Sequence, residues 1–172
     1  MGYTTDFSGR VEIEPPLNAA EIDFLTDLAS TRRMRRTKGP LYVKGAGDFG
    51  QGDDDDILDH NRPDSDQPGL WCQWAPEDDG AGLEWDGGEK FYNSAEWMKY
   101  IVQNLLAPEA RAYVDAHLSE DDRLAQFTCN HVVNGEILAQ GEDPDDRWAL
   151  IVTDNRVLTA GTAISYTTAK EV

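Results

Sequence analysis

QPGLWCQWAPEDDGAGLEWDGGEKFY, residues 67–92, carries three of the chain's five tryptophans, Trp71, Trp74 and Trp85, and one of its two cysteines, Cys72. Its spacing predicts a hairpin: a strand over 70–75, a turn over 77–82 and a returning strand over 83–85. Each tryptophan can bury roughly 150–250 Å², so this hairpin brings more apolar area than any other segment. Strand alternation puts Trp71 on one face and Cys72 with Trp74 on the other. At least one tryptophan is therefore expected in the core, against the helix that follows. Asn93 or Ser94 caps that helix, and Trp97, Met98, Ile101, Val102, Leu105 and Leu106 form one continuous apolar stripe along it.

Upstream, Arg10-Val11-Glu12-Ile13-Glu14 alternates charged and apolar side chains, the period of a half-buried strand. Asn18 can then accept a hydrogen bond from the backbone at Glu21, as in a capping box. Ile22, Leu25, Leu28 and Ala29 follow at helical spacing. The basic run Arg32, Arg33, Arg35, Arg36 and Lys38 is expected to extend this helix, where positive charge suits the C-terminal end of the dipole. Gly39-Pro40 must stop it. Residues 41–44 read as a short strand and 45–69 as a long acidic loop.

Downstream, 108–118 reads as a third helix and 124–160 as a β meander. Within the meander, 124–133 is a strand and Asn134-Gly135 marks a type I′ turn, because both central residues of that turn need positive φ. Residues 136–140 return, 148–153 form another strand, Asp154-Asn155 another tight turn and 157–159 a last strand. Hairpins dominate over βαβ crossovers, which predicts an α+β fold: a mostly antiparallel sheet with two or three helices on one face. The element order also matches a ferredoxin-like βαββαβ core plus a C-terminal β hairpin. A chain of 172 residues fits one domain spanning 1–172. It needs no disulfide or metal staple.

The charge is −18, from 15 basic and 33 acidic residues. Residues 39–98 hold fifteen acids against Lys44, Arg62 and Lys90, a local −12. Such a chain repels nucleic acid and anionic membrane surfaces at long range and favours basic partners. No apolar run is long enough to span a membrane, and the first residues lack the pattern of a secretory signal. Cys72 and Cys129 are expected to be reduced, buried thiols in a cytoplasmic protein.

No motif names a reaction, so no catalytic residue, metal or cofactor is assigned. Asp64-Ser65-Asp66-Gln67-Pro68-Gly69 gives D-x-D-x-x-G, but the twelfth position of a calcium loop would be Ala75 rather than Glu. Cys72, Cys129 and His131 lack zinc-ligand spacing. Cys72 as a nucleophile would sit between indoles, which disfavours the thiolate. Gly45-Ala46-Gly47-Asp48-Phe49-Gly50 resembles a phosphate loop, but aspartates follow it closely. Asp86 and Glu89, flanking Gly87-Gly88 beside Trp85, are the acids best placed for a ligand site. Arg32, Arg33, Arg35 and Arg36 are the best anion ligands. Their plainer role is to neutralise the acidic loop containing Asp53, Asp54, Asp55 and Asp56.

The motifs TRRM (31–34), NRP with QPGLWCQW (61–74), WDGGEKFYN (85–93), and NGEI with QGED (134–143) resemble a set of acidic bacterial and phage proteins of unknown function. The resemblance implies a bacterial or phage cytoplasmic origin and brings no activity. Together these features predict a non-enzymatic acidic protein that binds and blocks a basic macromolecular surface, as a nucleic-acid mimic or inhibitor would. The alternative is a small-ligand-binding protein or enzyme. Its pocket would lie under loop 45–69, walled by Trp71, Trp74, Trp85, Asp86 and Glu89, with an arginine from 32–36 as anion clamp; the stretch from Trp85 to Tyr92 is the part expected to face a ligand or partner.

Overall fold

The structure is a computed structural model that describes residues 2–44 and 54–161. The phosphate-loop-like stretch 45–50 and Asp53 lie outside the described residues. In chain order the elements are β1 (Thr5–Glu14), α1 (Ala19–Ser30), β2 (Arg35–Arg36), β3 (Ile57–Asp59), β4 (Trp74–Pro76) and β5 (Gly82–Trp85). They continue with α2 (Ser94–Ile101), α3 (Arg111–Ala116), β6 (Val132–Gly141), β7 (Arg147–Thr153) and β8 (Arg156–Gly161). Six strands form one sheet in the order β4-β5-β1-β6-β7-β8, and β2 with β3 forms a separate ribbon. Every neighbouring pair is antiparallel. This is an α+β fold with an antiparallel sheet. The parallel strand pair of a ferredoxin-like split βαβ unit has no counterpart among the described residues.

β1 organises the sheet because it pairs on both edges. Its ten residues match β6 from Thr5↔Gly141 to Glu14↔Val132, while Arg10, Val11 and Glu12 face β5. Phe7, Val11 and Ile13 are buried on its inner face, as are Val133, Ile137 and Ala139 of β6 and Leu150 and Val152 of β7. α1 and α2 pack against β4, and α2 also reaches β8. All six residues of the predicted stripe, Trp97 to Leu106, are fully buried. α2 runs into a single π-helical turn over Val102–Leu106, closed by a hydrogen bond from Ala107 N to Val102 O at 2.8 Å. No described helix is long and apolar enough to cross a membrane.

The capping box at α1 forms on both sides. Asn18 Oδ1 accepts from Ala20 N and Glu21 N, and Glu21 Oε2 accepts from Asn18 N at 2.8 Å. Asp154 (φ 46) and Asn155 (φ 65) make the tight turn between β7 and β8.

Several boundaries differ from the sequence reading. The basic run does not extend α1. Thr31 closes the helix by donating its N–H and hydroxyl to Asp27 O, and Arg35 and Arg36 then pair as β2. Leu41 and Val43 are buried, but 41–44 forms no ladder; Leu41 N donates to Glu120 Oε2 at 2.6 Å instead. The third helix is a 3₁₀ turn, Pro108–Ala110, followed by α3. Residues 124–131 are not a strand, since a 3₁₀ turn occupies Asp122–Gln126. The largest correction is at Asn134-Gly135, which lies inside β6. There Val133, Gly135, Ile137 and Ala139 keep one uninterrupted period of two. Gly135 is required because a Cβ there would fall 2.7 Å from Arg10 O and 2.8 Å from Val11 Cα. The residue marks a close approach of β1, not a turn.

Candidate functional site

The arginines of the basic run face different environments. Arg36 is buried, with Nη1 3.0 and 3.1 Å from the Asp56 carboxylate oxygens and 3.3 Å from Asp54. Lys38 Nζ adds a contact at 3.9 Å to Asp56. These pairs tie β2 to the acidic segment that precedes β3. Arg33 is also buried, donating to the carbonyl and hydroxyl of Thr31. Burial and the nearby Arg36 lower its pKa to about 10. Arg32 Nη2 donates to Asn61 Oδ1 at 3.2 Å. Arg35 is exposed and pairs with Asp59 across the ribbon. Asp55 is exposed as well.

The tryptophans divide by role. Trp74 is fully buried, with its ring 5.3 Å from Phe7 and 5.0 Å from Phe91 and its Nε1 donating to Ser94 O at 2.7 Å. Trp85 stands opposite Trp74 in the hairpin and packs on Phe7. Gln73 takes the Trp85 indole N–H at 3.1 Å and donates to Glu89 O at 3.0 Å, so it braces the loop after β5. Asp86 Oδ1 accepts from Gly88 N at 2.7 Å, and burial raises its pKa. Glu89 is 83% exposed, 3.9 Å from Lys90 Nζ. Asp86 and Glu89 therefore have separate partners. Trp71, Glu89 and Tyr92 do meet, around a cavity of about 390 Å³ that Gly69, Leu70 and Asn93 also line. No arginine borders it.

Among the described residues, the sheet face opposite the helices carries exposed side chains. In the register, Ser8, Leu138, Ala149 and Ala160 form one row, and Glu84, Arg10, Glu136, Ile151 and Leu158 the next. Leu138 is 50% exposed, Leu158 is 49% exposed and Ile151 lies half-buried between them. Leu138 also borders a hollow of about 310 Å³ with Asp6, Gln140 and Arg147. On the β1–β5 side the same face carries Glu12, Glu14, Glu84 and Glu136, all exposed. Arg10 lies among them, 2.5 Å from Glu77 and 3.6 Å from Glu12. The result is an apolar strip beside a field of carboxylates.

One buried polar cluster was not anticipated from the sequence. Glu21 Oε1 accepts from Thr128 N at 2.7 Å and Thr128 Oγ1 at 2.9 Å, and lies 3.2 Å from His131 Nε2. His131 Nδ1 donates to Pro15 O at 2.7 Å. His131 Nε2 also lies 2.9 Å from Thr128 Oγ1, so a protonated ring can donate from both nitrogens. Burial would raise Glu21, but hydrogen bonds from His131, Thr128 and Asn18 outweigh it and hold its pKa below the usual carboxylate value. Burial would lower His131, but Glu21 and the Pro15 carbonyl hold its pKa above the ordinary value. The capping-box signal pointed to Glu21, but a partner 110 positions away in sequence leaves no local trace.

The remaining groups are committed to the fold. Burial pushes the Cys72 thiol up to about 12, so it is not a thiolate at neutral pH. Asp66 accepts from Tyr113, and Gln67 donates to Pro40 O, so the D-x-D-x-x-G loop is packed into the protein. Among the described residues no three His, Cys, Asp or Glu side chains converge as metal ligands. No family model, curated protein or solved structure matches the chain.

Proposed function

We propose that the protein is an acidic interaction module that uses the open sheet face to cover a basic protein surface. The observation that supports this reading is the exposed strip Leu138–Ile151–Leu158 beside Glu12, Glu14, Glu84 and Glu136. Exposed apolar side chains at the centre of a contact supply the energy, and charge at the rim supplies steering and partner choice. The hollow next to Leu138 offers a place for one anchoring side chain. A net charge of −18 selects basic partners and opposes nucleic acid. Blocking needs no catalytic group, and the buried thiol and buried ion pair supply none.

The test is binding to a basic bacterial or phage protein retained by the immobilised chain, measured against ionic strength. Affinity is expected to fall as salt rises, because the carboxylate rim is screened. Replacing Leu138 and Leu158 together with Asp is expected to weaken binding at least 10-fold, since each leucine buries about 1.5–3 kcal/mol of transfer energy. Glu12→Lys with Glu84→Lys is expected to slow association. Affinity that ignores both salt and these four positions would refute the reading.

A further inference from the structure

The two ends of the six-stranded sheet are built differently. β4 closes one end with three residues and stops at Pro76. Short length and proline are common means of keeping an edge from pairing. β8 closes the other end with six residues and pairs with β7 at every position, without a bulge. Arg156 beside the turn is its one charged residue; it has no proline, and Leu158 to Gly161 are exposed. The Asp154-Asn155 turn fixes which backbone groups face outward. In a two-residue hairpin the flanking pair, here Thr153 and Arg156, exchanges both hydrogen bonds, and bonded and non-bonded pairs then alternate. Leu158 and Ala160 therefore bond to β7. The N–H and C=O groups of Val157, Thr159 and Gly161 point away from β7, along the free edge.

A strand added at this edge meets different surroundings on its two faces. A residue opposite Thr159 places its side chain on the helix side of the sheet, the side Thr159 shares with the buried Leu150. A hollow of about 420 Å³ lies there, lined by Phe91, Trp148, Thr159 and Gly161, with the exposed Glu96 among its walls and no basic side chain. Its aromatic rings suit an aliphatic stem and its carboxylate suits a positive tip. A residue opposite Leu158 points to the other face, next to that half-exposed leucine. With −18 on the chain, a second copy is repelled and a basic segment is attracted. We propose that β8 takes up an extended segment of a basic protein as a seventh strand, with a lysine or arginine in the hollow at Glu96 and an apolar side chain beside Leu158. Backbone hydrogen bonds supply the attachment, and the alternate side chains supply the choice of partner.

The probe is the acetylated, amidated peptide Val-Lys-Val-Lys-Val-Lys-Val, titrated into the full-length protein by calorimetry. With its lysines opposite Val157, Thr159 and Gly161, the lysine N–H groups meet the edge and the valine N–H groups face solvent. N-methylation of the three lysine amides is expected to weaken binding at least 10-fold, whereas N-methylation of the valine amides, at the same charge, is not. In the protein, Thr159→Pro removes one outward N–H and leaves the β7 ladder intact, and is expected to weaken binding about 10-fold. Glu96→Gln is expected to weaken it by up to about 5-fold. The edge acts independently of the open sheet face, so Leu138→Asp, two strands away, is expected to leave the peptide affinity unchanged. No binding of the unmodified peptide, equal binding of the two methylated peptides, or a loss in Leu138→Asp as large as in Thr159→Pro would overturn the proposal. A dimer in sedimentation of the protein alone that Thr159→Pro dissolves would give the edge to a second copy instead.

Discussion

Glu21→Ala is expected to destabilise the protein by about 3–5 kcal/mol, the usual cost of leaving one member of a buried ion pair alone. At this chain length that corresponds to a fall in melting temperature of roughly 6–20 °C. The effect is large because one carboxylate serves three places. Oε2 completes the capping box of α1, while Oε1 receives the backbone and hydroxyl of Thr128 and faces His131. Removing it leaves the buried His131 against Pro15 O without the carboxylate that holds its pKa up. Urea or thermal denaturation of both proteins measures the difference. A loss under about 1 kcal/mol, the range of surface ion pairs, would show that the cluster is not a buried pair in solution.

The same pair sets a pH dependence whose sign differs on its two sides. His131 has a raised folded pKa, so its contribution is complete below its unfolded value and is lost as pH rises through the folded value. Glu21 has a lowered folded pKa, so its contribution is complete above its unfolded value and is lost as pH falls through the folded value. With unfolded values near 4.3 and 6.5, both contributions are whole between about pH 4.5 and 6.5. The stability gap between the natural protein and Glu21→Ala is therefore expected to be widest there. It narrows above, as His131 of the natural protein loses its proton through its raised folded pKa. Taking the gap between the two proteins cancels the self-repulsion of the other carboxylates. A gap that stays constant from pH 5 to pH 9 would contradict this assignment.

Much of the fold was legible because its signals are local and periodic. The Trp97–Leu106 stripe, the Asn18–Glu21 cap and the Asp154-Asn155 turn depend on residues within a few positions of each other, and each appears as expected. Asn134-Gly135 shows where a local signal loses. The dipeptide satisfies a type I′ turn, but ten rungs of pairing with β1 and a period of two running through Gly135 outweigh it. That alternation was present in the sequence. The close approach of Arg10 O, which makes the glycine necessary, was not. The site followed the same division. Trp71, Glu89 and Tyr92 could be named from composition around the glycine turn, and they share a cavity. The open sheet face could not, because Leu138, Ile151 and Leu158 become neighbours only through the register of three strands.

The tryptophans of the hairpin provide the second large expected effect. Trp74→Ala is expected to cost about 3–5 kcal/mol, as for other fully buried aromatic side chains. Trp71→Ala, three positions away, is expected to cost less than half as much. Composition does not separate the two residues, and the strand expected over 70–75 begins only at Trp74, so Trp71 precedes β4 and the packing gives the difference. Trp74 sits edge-on to Phe7 of β1 and to Phe91, and its indole N–H holds Ser94 O at the start of α2. It therefore joins the hairpin, the central strand and the main helix at one point. Truncation opens a cavity among rings that cannot collapse without moving β1, and it leaves Ser94 O without its donor. Trp71 lines the cavity beside Gly69 instead and keeps part of its ring in solvent. The near-ultraviolet dichroism of Trp74→Ala should lose the signal of the Phe7–Trp74–Phe91 cluster, while Trp71→Ala keeps it. Equal losses of stability in the two variants would mean that the hairpin does not dock on the sheet through Trp74.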